Sequence, residues 1–506
     1  MSGTTWRPGR PQGPDVSGRV CHWDSLPGPH RSVAAIVPVE AEQTWLEGAT
    51  PSVAVAQRTP GRRRRRVWPR RSLDLTAVER SDSLRRNRDF MAMWTGQVGS
   101  MLGSQATRLA FPLLVLSLSG SAAQAGVVAF SNTLPMVLLS LPAGVWIDRH
   151  DRRAAMLTVD LVGALAAGSL VAAIALGAVR LAHVMVAAFL LGAVTVIFGL
   201  AEESALPQVV ASEQLPEAIA QNESRTYAAQ LAGPAVGGLL FGAARLAPFL
   251  FDAVSYVVGA MSLWFVKTPL QEPREPDGGP FSSELVEGVR WLWGQSCVRT
   301  CALLGALVNF VWAGLLLVLV LEAKRQGASS ATVGSMLAVL AIGGLLGSFV
   351  APALRRGLSV RTTVAGALWL QAACIPVLAF RPSPVLLGVI AALAMMMLPA
   401  WNAVVVAMRL ALTPDRLRGR MTSAARCIVG AMIPLGSLGA GFAAQSLGTQ
   451  TTFLALAAVA LLIALAGTSA ASLRDISHDA PSGARVRNAT LARGTSHPAV
   501  DPAGPS

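Results

Sequence analysis

The stretch Gln124–Ile147, QAGVVAFSNTLPMVLLSLPAGVWI, holds no ionisable side chain over 24 residues and runs straight into Asp148-Arg149-His-Asp-Arg152-Arg153. A helix of that length rises about 36 Å, enough to cross the ~30 Å hydrocarbon layer of a bilayer. The charges that follow must sit where water or headgroups solvate them. One apolar rod closed by a basic turn sets the expectation for the chain: helices that cross lipid, joined by short polar connections.

Composition points the same way. The 506 residues are 53% hydrophobic and 14% charged, with a mean hydropathy of +0.51. Soluble proteins carry about 25% charged residues, so lipid must be the solvent over most of this chain. Twelve segments are suitable spans: 90–118, 124–147, 155–177, 181–201, 222–244, 247–266, 298–321, 330–354, 361–380, 384–408, 421–446 and 449–472. The stretch between Cys427 and Leu473 also lacks ionisable residues. As one helix it would be about 70 Å long, so a hairpin is expected at Gly448-Thr449-Gln450.

The polar segment from Lys267 to Pro280 divides the spans into six and six. The expected organisation is a disordered basic cytoplasmic tail (1–88), an N-terminal six-helix bundle (89–266), a cytoplasmic linker (267–297), a C-terminal six-helix bundle (298–472) and a disordered cytoplasmic tail (473–506). Within the linker, FSSELVEGVRWLW (281–293) has apolar residues at helical spacing. It reads as an amphipathic helix on the membrane surface or as an extension of the seventh span.

The net charge is +14, and the only lysines are Lys267 and Lys324. The run Arg62–Arg66 raises a nucleic-acid reading, set aside in favour of a positive-inside bias. With an even number of spans that bias puts both tails in the cytoplasm. Arg149, Arg152, Arg153, Lys267, Arg274, Arg290, Arg355, Arg356, Arg416, Arg418 and Arg420 then fall inside. Arg180, Arg245, Lys324, Arg325 and Arg381 fall outside. The fourth connection dissents with Glu202, Glu203, Glu213, Glu217 and Glu223, but acidic residues contribute little to topology. No secretory signal peptide is visible at Met1. Residues 1–88 read as a tail or as sequence upstream of an initiation site near Met91. Cys21, Cys297, Cys301, Cys374 and Cys427 show no zinc-like spacing and read as free thiols.

Two motifs carry chemistry. Gly144-Val-Trp-Ile-Asp148-Arg149-His-Asp-Arg152-Arg153 puts a close-packing glycine and a carboxylate beside several guanidinium groups at a helix end. Such a cluster can hold one conformation closed and break in the other; the plainer reading is a basic loop serving topology. In the fifth span, Gly233-Pro234-Ala-Val-Gly237-Gly238 permits close helix packing and weakens local backbone hydrogen bonding. Arg225-x8-Pro234 and Arg426-x7-Pro434 echo each other weakly at corresponding positions of the two halves, which reads as an internal repeat of the kind transporters have or as chance similarity between Gly-rich membrane helices.

The Gly144–Arg153 loop resembles the cytoplasmic signature of the major facilitator superfamily, with Asp151 where that signature usually has glycine. The Gly233-Pro234 cluster resembles the fifth-helix motif of its exporter branches. Asn87-Arg-Asp-Phe-x3-Trp94-x-Gly96-Gln97, Phe251-Asp252-Ala-x-Ser255 and Leu417-Arg-Gly419-Arg420 are similar to the branch of siderophore and macrolide exporters. The resemblance covers roughly residues 85–473. It implies an all-α membrane protein of twelve transmembrane helices in two pseudo-symmetric six-helix bundles, alternating access about a midplane cavity, and action as a monomer. An acid early in the first span is usual among such exporters; here Ser104 and Gln105 occupy that neighbourhood.

Ionisable groups within spans are functional candidates. Arg108 is expected to face the cavity. Asp160 is expected to pair with a nearby gate arginine ahead of carrying protons. For Asp252, Arg225 and Arg426, helix capping or snorkelling is the simpler reading. Gln105, Asn132, Asn309 and Gln371 are cavity candidates or helix–helix hydrogen-bonders. Trp312, Trp369 and Trp401 line a cavity or an interfacial belt, and Met395-Met-Met397 reads as packing.

The leading expectation is a secondary transporter in the cell membrane that exports a small lipophilic or natural-product-like molecule, coupled to protons. An importer, and a transporter fold kept as a sensor or interaction protein, are the alternatives. No nucleotide-binding loop and no hydrolase or metalloprotease motif is present. No enzymatic activity, cofactor, metal or nucleic-acid partner is expected.

Overall fold

The computed structural model describes residues 84–271, 281–414 and 417–470. Residues 1–83 of the expected N-terminal tail, the expected C-terminal tail, Arg62–Arg66, Cys21, the linker stretch with Arg274, and Arg416 lie outside the described residues. So do the side chains of Asp148, Arg355 and Arg356. The last five residues of the expected N-terminal tail are instead ordered, with Leu84 buried and Asn87 capping the first helix.

The described chain is helical throughout, and its helices start where short polar side chains can cap them. Asn87 accepts from Phe90 N (3.0 Å) and opens α1, Arg88–Ser119, which closes on Gly120 at φ 64. Ser121 opens α2, Ala122–Arg149, and Asp151 accepts from Ala154 N (2.7 Å) to open α3, Arg152–Ala175. The departure from glycine at Asp151 thus supplies a cap. Then come α4, Leu181–Val209; α5, Leu215–Ala243; α6, Ala247–Phe265; and α7, Phe281–Gly294. The second part holds α8, Ser296–Arg325; α9, Ser330–Gly357; α10, Val360–Val377; α11, Pro384–Met395; and α12, Leu398–Leu412. It ends with α13, Arg418–Gly430, and α14, Met432–Ser469.

Ten helical segments among the described residues are long and apolar enough to cross a bilayer. The chain is therefore an all-α, multi-span membrane protein. Two sequence features explain the number. The first half of α5, with Glu217, Asn222, Glu223 and Arg225, is polar. The segment Arg420–Ser469 counts once although it is 50 residues long. Inside it Gly448 adopts φ 80, ψ 164, a left-handed conformation that only glycine takes freely. The chain breaks there, where the expected hairpin falls. A second break, between α11 and α12, lies in the methionine run. It brings the Met396 carbonyl against α9, where a Cβ on Gly347 would meet it at 2.0 Å. These methionines pack, as expected.

The helices form two groups. In the first, α1 packs on α5 and α6, α2 on α4, and α3 on α4 and α6. In the second, α8 packs on α14, α9 on α11 and α12, and α10 on α11 and α14. Between the groups the main contacts are α2 with α14 and α5 with α9, and α7 lies on α13.

Candidate functional site

The contacts between the two groups concentrate at one end. A Cβ added at Gly126 of α2 would sit 2.9 Å from the Gly441 Cα of α14, and one added at Gly441 would sit 2.7 Å from the Gly126 Cα. On the other side, a Cβ at Gly238 of α5 would meet the Ser330 carbonyl of α9 at 2.4 Å and the Gly334 Cα at 2.9 Å. Backbone lies on backbone at both seams, which is why each position has no side chain. Gly126 lies near the start of α2 and Gly334 near the start of α9. Gly238 lies near the end of α5, and Gly441 precedes the break at Gly448. All four share the end opposite the Asp148 loop. Gln445 adds a link there, accepting from Ala122 N (2.8 Å) and the Ser121 hydroxyl (3.3 Å).

The same end holds a cluster that sequence reasoning missed. Glu322, fully buried near the end of α8, accepts from Arg381 Nε (3.0 Å), Gln326 Nε2 (2.9 Å) and the Thr449 hydroxyl. One carboxylate ties three connections together. The signal available in sequence was an acid just before Lys324-Arg325, at the end of the seventh span.

At the opposite end the groups part. Gly144, expected to let two helices touch, has nothing within 4 Å of a Cβ built on it. Close approach at Gly144 is absent because the helix ends are splayed there. Arg149 is exposed. Arg152 and Arg153 point into their own group. Arg152 donates to the carbonyls of Ser204 (2.8 Å) and Leu270 (3.2 Å), and Arg153 to those of Leu263 (3.0 Å) and Trp264 (2.9 Å). Arg153 thus satisfies carbonyls of the last turn of α6, and Arg152 ties α3 to α4 and to the chain beyond α6. Asp89 likewise pins the start of the linker, accepting from Thr268 N at 2.8 Å. One described ion pair crosses the gap: Arg426 Nη1 and Glu203 Oε2, 3.9 Å apart with side chains 65% and 68% exposed.

An open face on α1 extends into this gap. Thr95, Val98 and Arg108 are exposed at helical spacing, with Gln105 half-buried between them, while residues 109–115 are all buried. The accessible stripe therefore ends at Arg108. The Arg108 guanidinium is open to solvent-sized space yet ringed by protein, and its hydrogen bond runs to Gln105 Oε1 at 3.5 Å. The face of α4 behaves similarly: Thr195, Gly199 and Glu203 are exposed four residues apart. The opposing wall carries a cavity of about 180 Å³ between α8, α12 and α13, bounded by Cys301, Asn309, Trp401, Asn402 and Arg409 among others. Asn309 also donates to the Val429 carbonyl (2.9 Å).

The remaining candidates lie inside the helix groups. Asn132 donates to the Ala188 carbonyl (3.0 Å), and Gln371 accepts from Trp312 Nε1 (3.1 Å) with both side chains buried. Trp369 is exposed. Arg225 neither caps nor snorkels: it is buried in α5, 2.6 Å from the buried Glu202 of α4. Glu202, assigned to a loop by sequence, is inside α4 because that helix continues to Val209. Asp160 is buried, with no hydrogen-bond partner on either oxygen among the described residues. The arginine pairing expected for it is not made among the described residues. It lies instead across Gly259 from Gln97 and Ser100, all within 3.3 Å of a Cβ placed there. Asp252, expected as a cap, is buried in α6 and reached by Ser104 of α1 at 3.5 Å. Cys301 and Cys374 are buried free thiols, while Cys297 and Cys427 are half-buried.

The Gly233 cluster is a packing device. A Cβ on Gly233 would meet Gln105 Cβ at 2.3 Å, one on Gly237 the Ala106 carbonyl at 2.6 Å, and the Pro234 carbonyl lies against Gly334. A family model described as a transmembrane secretion effector matches residues 83–497, the whole of this architecture. The chain belongs to the transmembrane secretion effector family. Members of this major facilitator family are multi-pass transporters, and its curated relatives include efflux pumps. It is 28% identical to the multidrug efflux pump Tap of Mycolicibacterium fortuitum over 74% of this chain and 93% of that protein. It is 29% identical to Tap of Mycobacterium tuberculosis over 74% and 91%, and 26% identical to macrolide efflux protein A of Streptococcus pyogenes over 44% and 56%. In fold it is similar to a bacterial homologue of the human lysosomal transporter Spinster (TM-score 0.62, 15% identity, 78% of this chain and 99% of that one). It is also similar to a bacterial homologue of the iron transporter ferroportin (0.61, 19%, 77% and 100%). Sequence and fold thus make the chain a secondary transporter of small molecules.

Proposed function

We propose that the chain is a proton-coupled exporter of a small lipophilic or natural-product-like molecule, working as a monomer by alternating access. Its ten apolar segments become twelve spans when α5 is added and Arg420–Ser469 is divided at Gly448. They form two bundles, residues 89–266 and 298–472, joined by the 267–297 linker. The positive-inside bias puts the Asp148 loop and both termini in the cytoplasm of a cell-membrane protein. The observation that carries the reading is the asymmetry of the two ends: glycine seams close one while the other opens onto Arg108. With the loop inside, this is the inward-facing state, ready to load from the cytoplasm or the inner leaflet.

In this reading Gly144, Asp148 and Arg149 form the inner gate, and Arg152 and Arg153 hold the helix ends that the gate closes on. The Gly233–Gly238 cluster keeps α1, α5 and α9 close enough to rock. Buried Asp160 and Asp252 are the proton-carrying candidates, because each carboxylate lacks a basic partner among the described residues. The kinship with named efflux pumps favours export over import.

The test uses everted membrane vesicles. A proton gradient, acid inside, drives accumulation of a lipophilic substrate, and a protonophore abolishes it. Accumulation that persists without the gradient but requires ATP contradicts the reading.

A further inference from the structure

We propose that the molecule received at the closed end of the cleft carries an acidic group, and that Arg108 is its partner. This rests on the transporter reading and narrows its substrate class to an apolar body bearing a carboxylate or comparable oxyanion. Arg108 lies twenty residues into α1 from Arg88, about 30 Å along the helix axis. At that depth an uncompensated guanidinium is costly. A solvated cleft lowers that cost, and an anion filling the cleft removes it.

No carboxylate of this chain serves Arg108 among the described residues. Glu202 is held by Arg225 and Glu322 by Arg381. Asp252 meets Ser104 on the α6 side of α1, and Asp160 sits behind Gly259 in the α1–α3–α6 interior. Glu203, on the open face of α4, lies beside Arg426. Among the described residues the hydrogen bond of Arg108 runs to Gln105, at 3.5 Å, which leaves most of its five N–H donors for a ligand.

The opposite wall repeats the sign. Arg409 bounds the 180 Å³ cavity, with Asn309 and Asn402 as neutral companions and Trp401 and Val405 as apolar wall. It too has no carboxylate partner among the described residues. Arg108 and Arg409 attract anions and repel amines, because the carboxylate on the open face of α4, Glu203, lies beside Arg426 rather than beside either of them. The planar fork of arginine pairs with an oxyanion in two parallel hydrogen bonds.

The test measures binding to the detergent-purified full-length protein by tryptophan fluorescence. Three probes share one apolar body: 2-naphthylacetate, its methyl ester and 2-(2-naphthyl)ethylamine. The acid should bind on the order of tenfold more tightly than the ester, the difference one charge-assisted hydrogen-bond pair makes, and the amine should bind most weakly. Arg108→Gln should bring the acid down to the ester, and Arg108→Lys should keep part of the preference. Ester or amine binding equal to that of the acid overturns the proposal, as does an acid preference that survives Arg108→Gln. If Arg108→Gln does not fold, the ranking of the three probes on the unaltered protein decides. Uptake of the same probes into everted vesicles separates the two readings. Selective acid binding without transport defeats the exporter and leaves this proposal standing. Transport that ignores the acid defeats this proposal alone.

Discussion

The two ends of the helix bundle hold together by different means. At one, Gly126 meets Gly441 and Gly238 meets Gly334 through backbone contact, and Glu322 gathers Arg381, Gln326 and Thr449 beneath it. At the other, a loose exposed pair, Glu203 and Arg426, is the described ionic link between the groups. The first group is held there by contacts of its own: the buried Glu202–Arg225 pair, and Arg152 and Arg153 on backbone carbonyls of α4 and α6. Tight apolar seams give a snug closure with little charge to desolvate. Long exposed side chains can find and lose partners at small cost. Glu202 and Glu203 condense the contrast into adjacent residues, one facing in and one facing the gap.

The largest effect should come from Arg225→Met, which strands Glu202 in the interior. Removing one partner of a buried pair costs about 3–5 kcal/mol, visible as a large fall in melting temperature in detergent. Replacing both partners, Glu202→Leu with Arg225→Met, should restore most of it. Next, Gly126→Leu forces a side chain into the Gly441 backbone. Overpacking of about 1–3 kcal/mol should cut transport five- to a hundredfold, with the protein still monodisperse. Gly144→Leu, in open space, should leave the melting temperature unchanged while slowing turnover. If both glycine variants destabilise the purified protein equally, the contrast between the ends is wrong.

Asp148→Asn sharpens the comparison at the open end. If Asp148 helps hold that end shut during the cycle, efflux should fall about tenfold, a coupling free energy in the usual range. Unchanged transport would remove it from the gate. The smallest effect is expected for Arg426→Gln. An exposed pair at 3.9 Å is worth about 0–1 kcal/mol, so the melting temperature should barely move.

Much of the fold was legible because lipid imposes it. Uncharged stretches marked helices, and the overlong run to Leu473 required a break, which Gly448 supplies at φ 80. Partners were less legible. The Gly233 cluster announced close packing, but only three dimensions show that Gln105, Ala106 and Gly334 fill its face. Gly144 carried the same chemical signal, yet nothing lies within 4 Å of a Cβ built on it. Asp160 was matched to arginines two turns away along the chain, yet the helix turns it toward Gln97 and Ser100 instead. Arg108 could be singled out from its depth, while its lack of an acidic neighbour could not. That depends on which way Asp252 and Asp160 face, and sequence spacing does not fix it.

The central claim is that the two ends open and close in opposition. Spin labels on a cysteine-free background, at Ser121→Cys with Gln445→Cys for the glycine-seamed end and at Glu203→Cys with Arg426→Cys for the splayed end, report both distances by pulsed electron resonance. The account predicts that lowering the pH on one face, or adding substrate, lengthens the first distance while shortening the second. Distances that move together, or a splayed end that stays open in every condition, would contradict it.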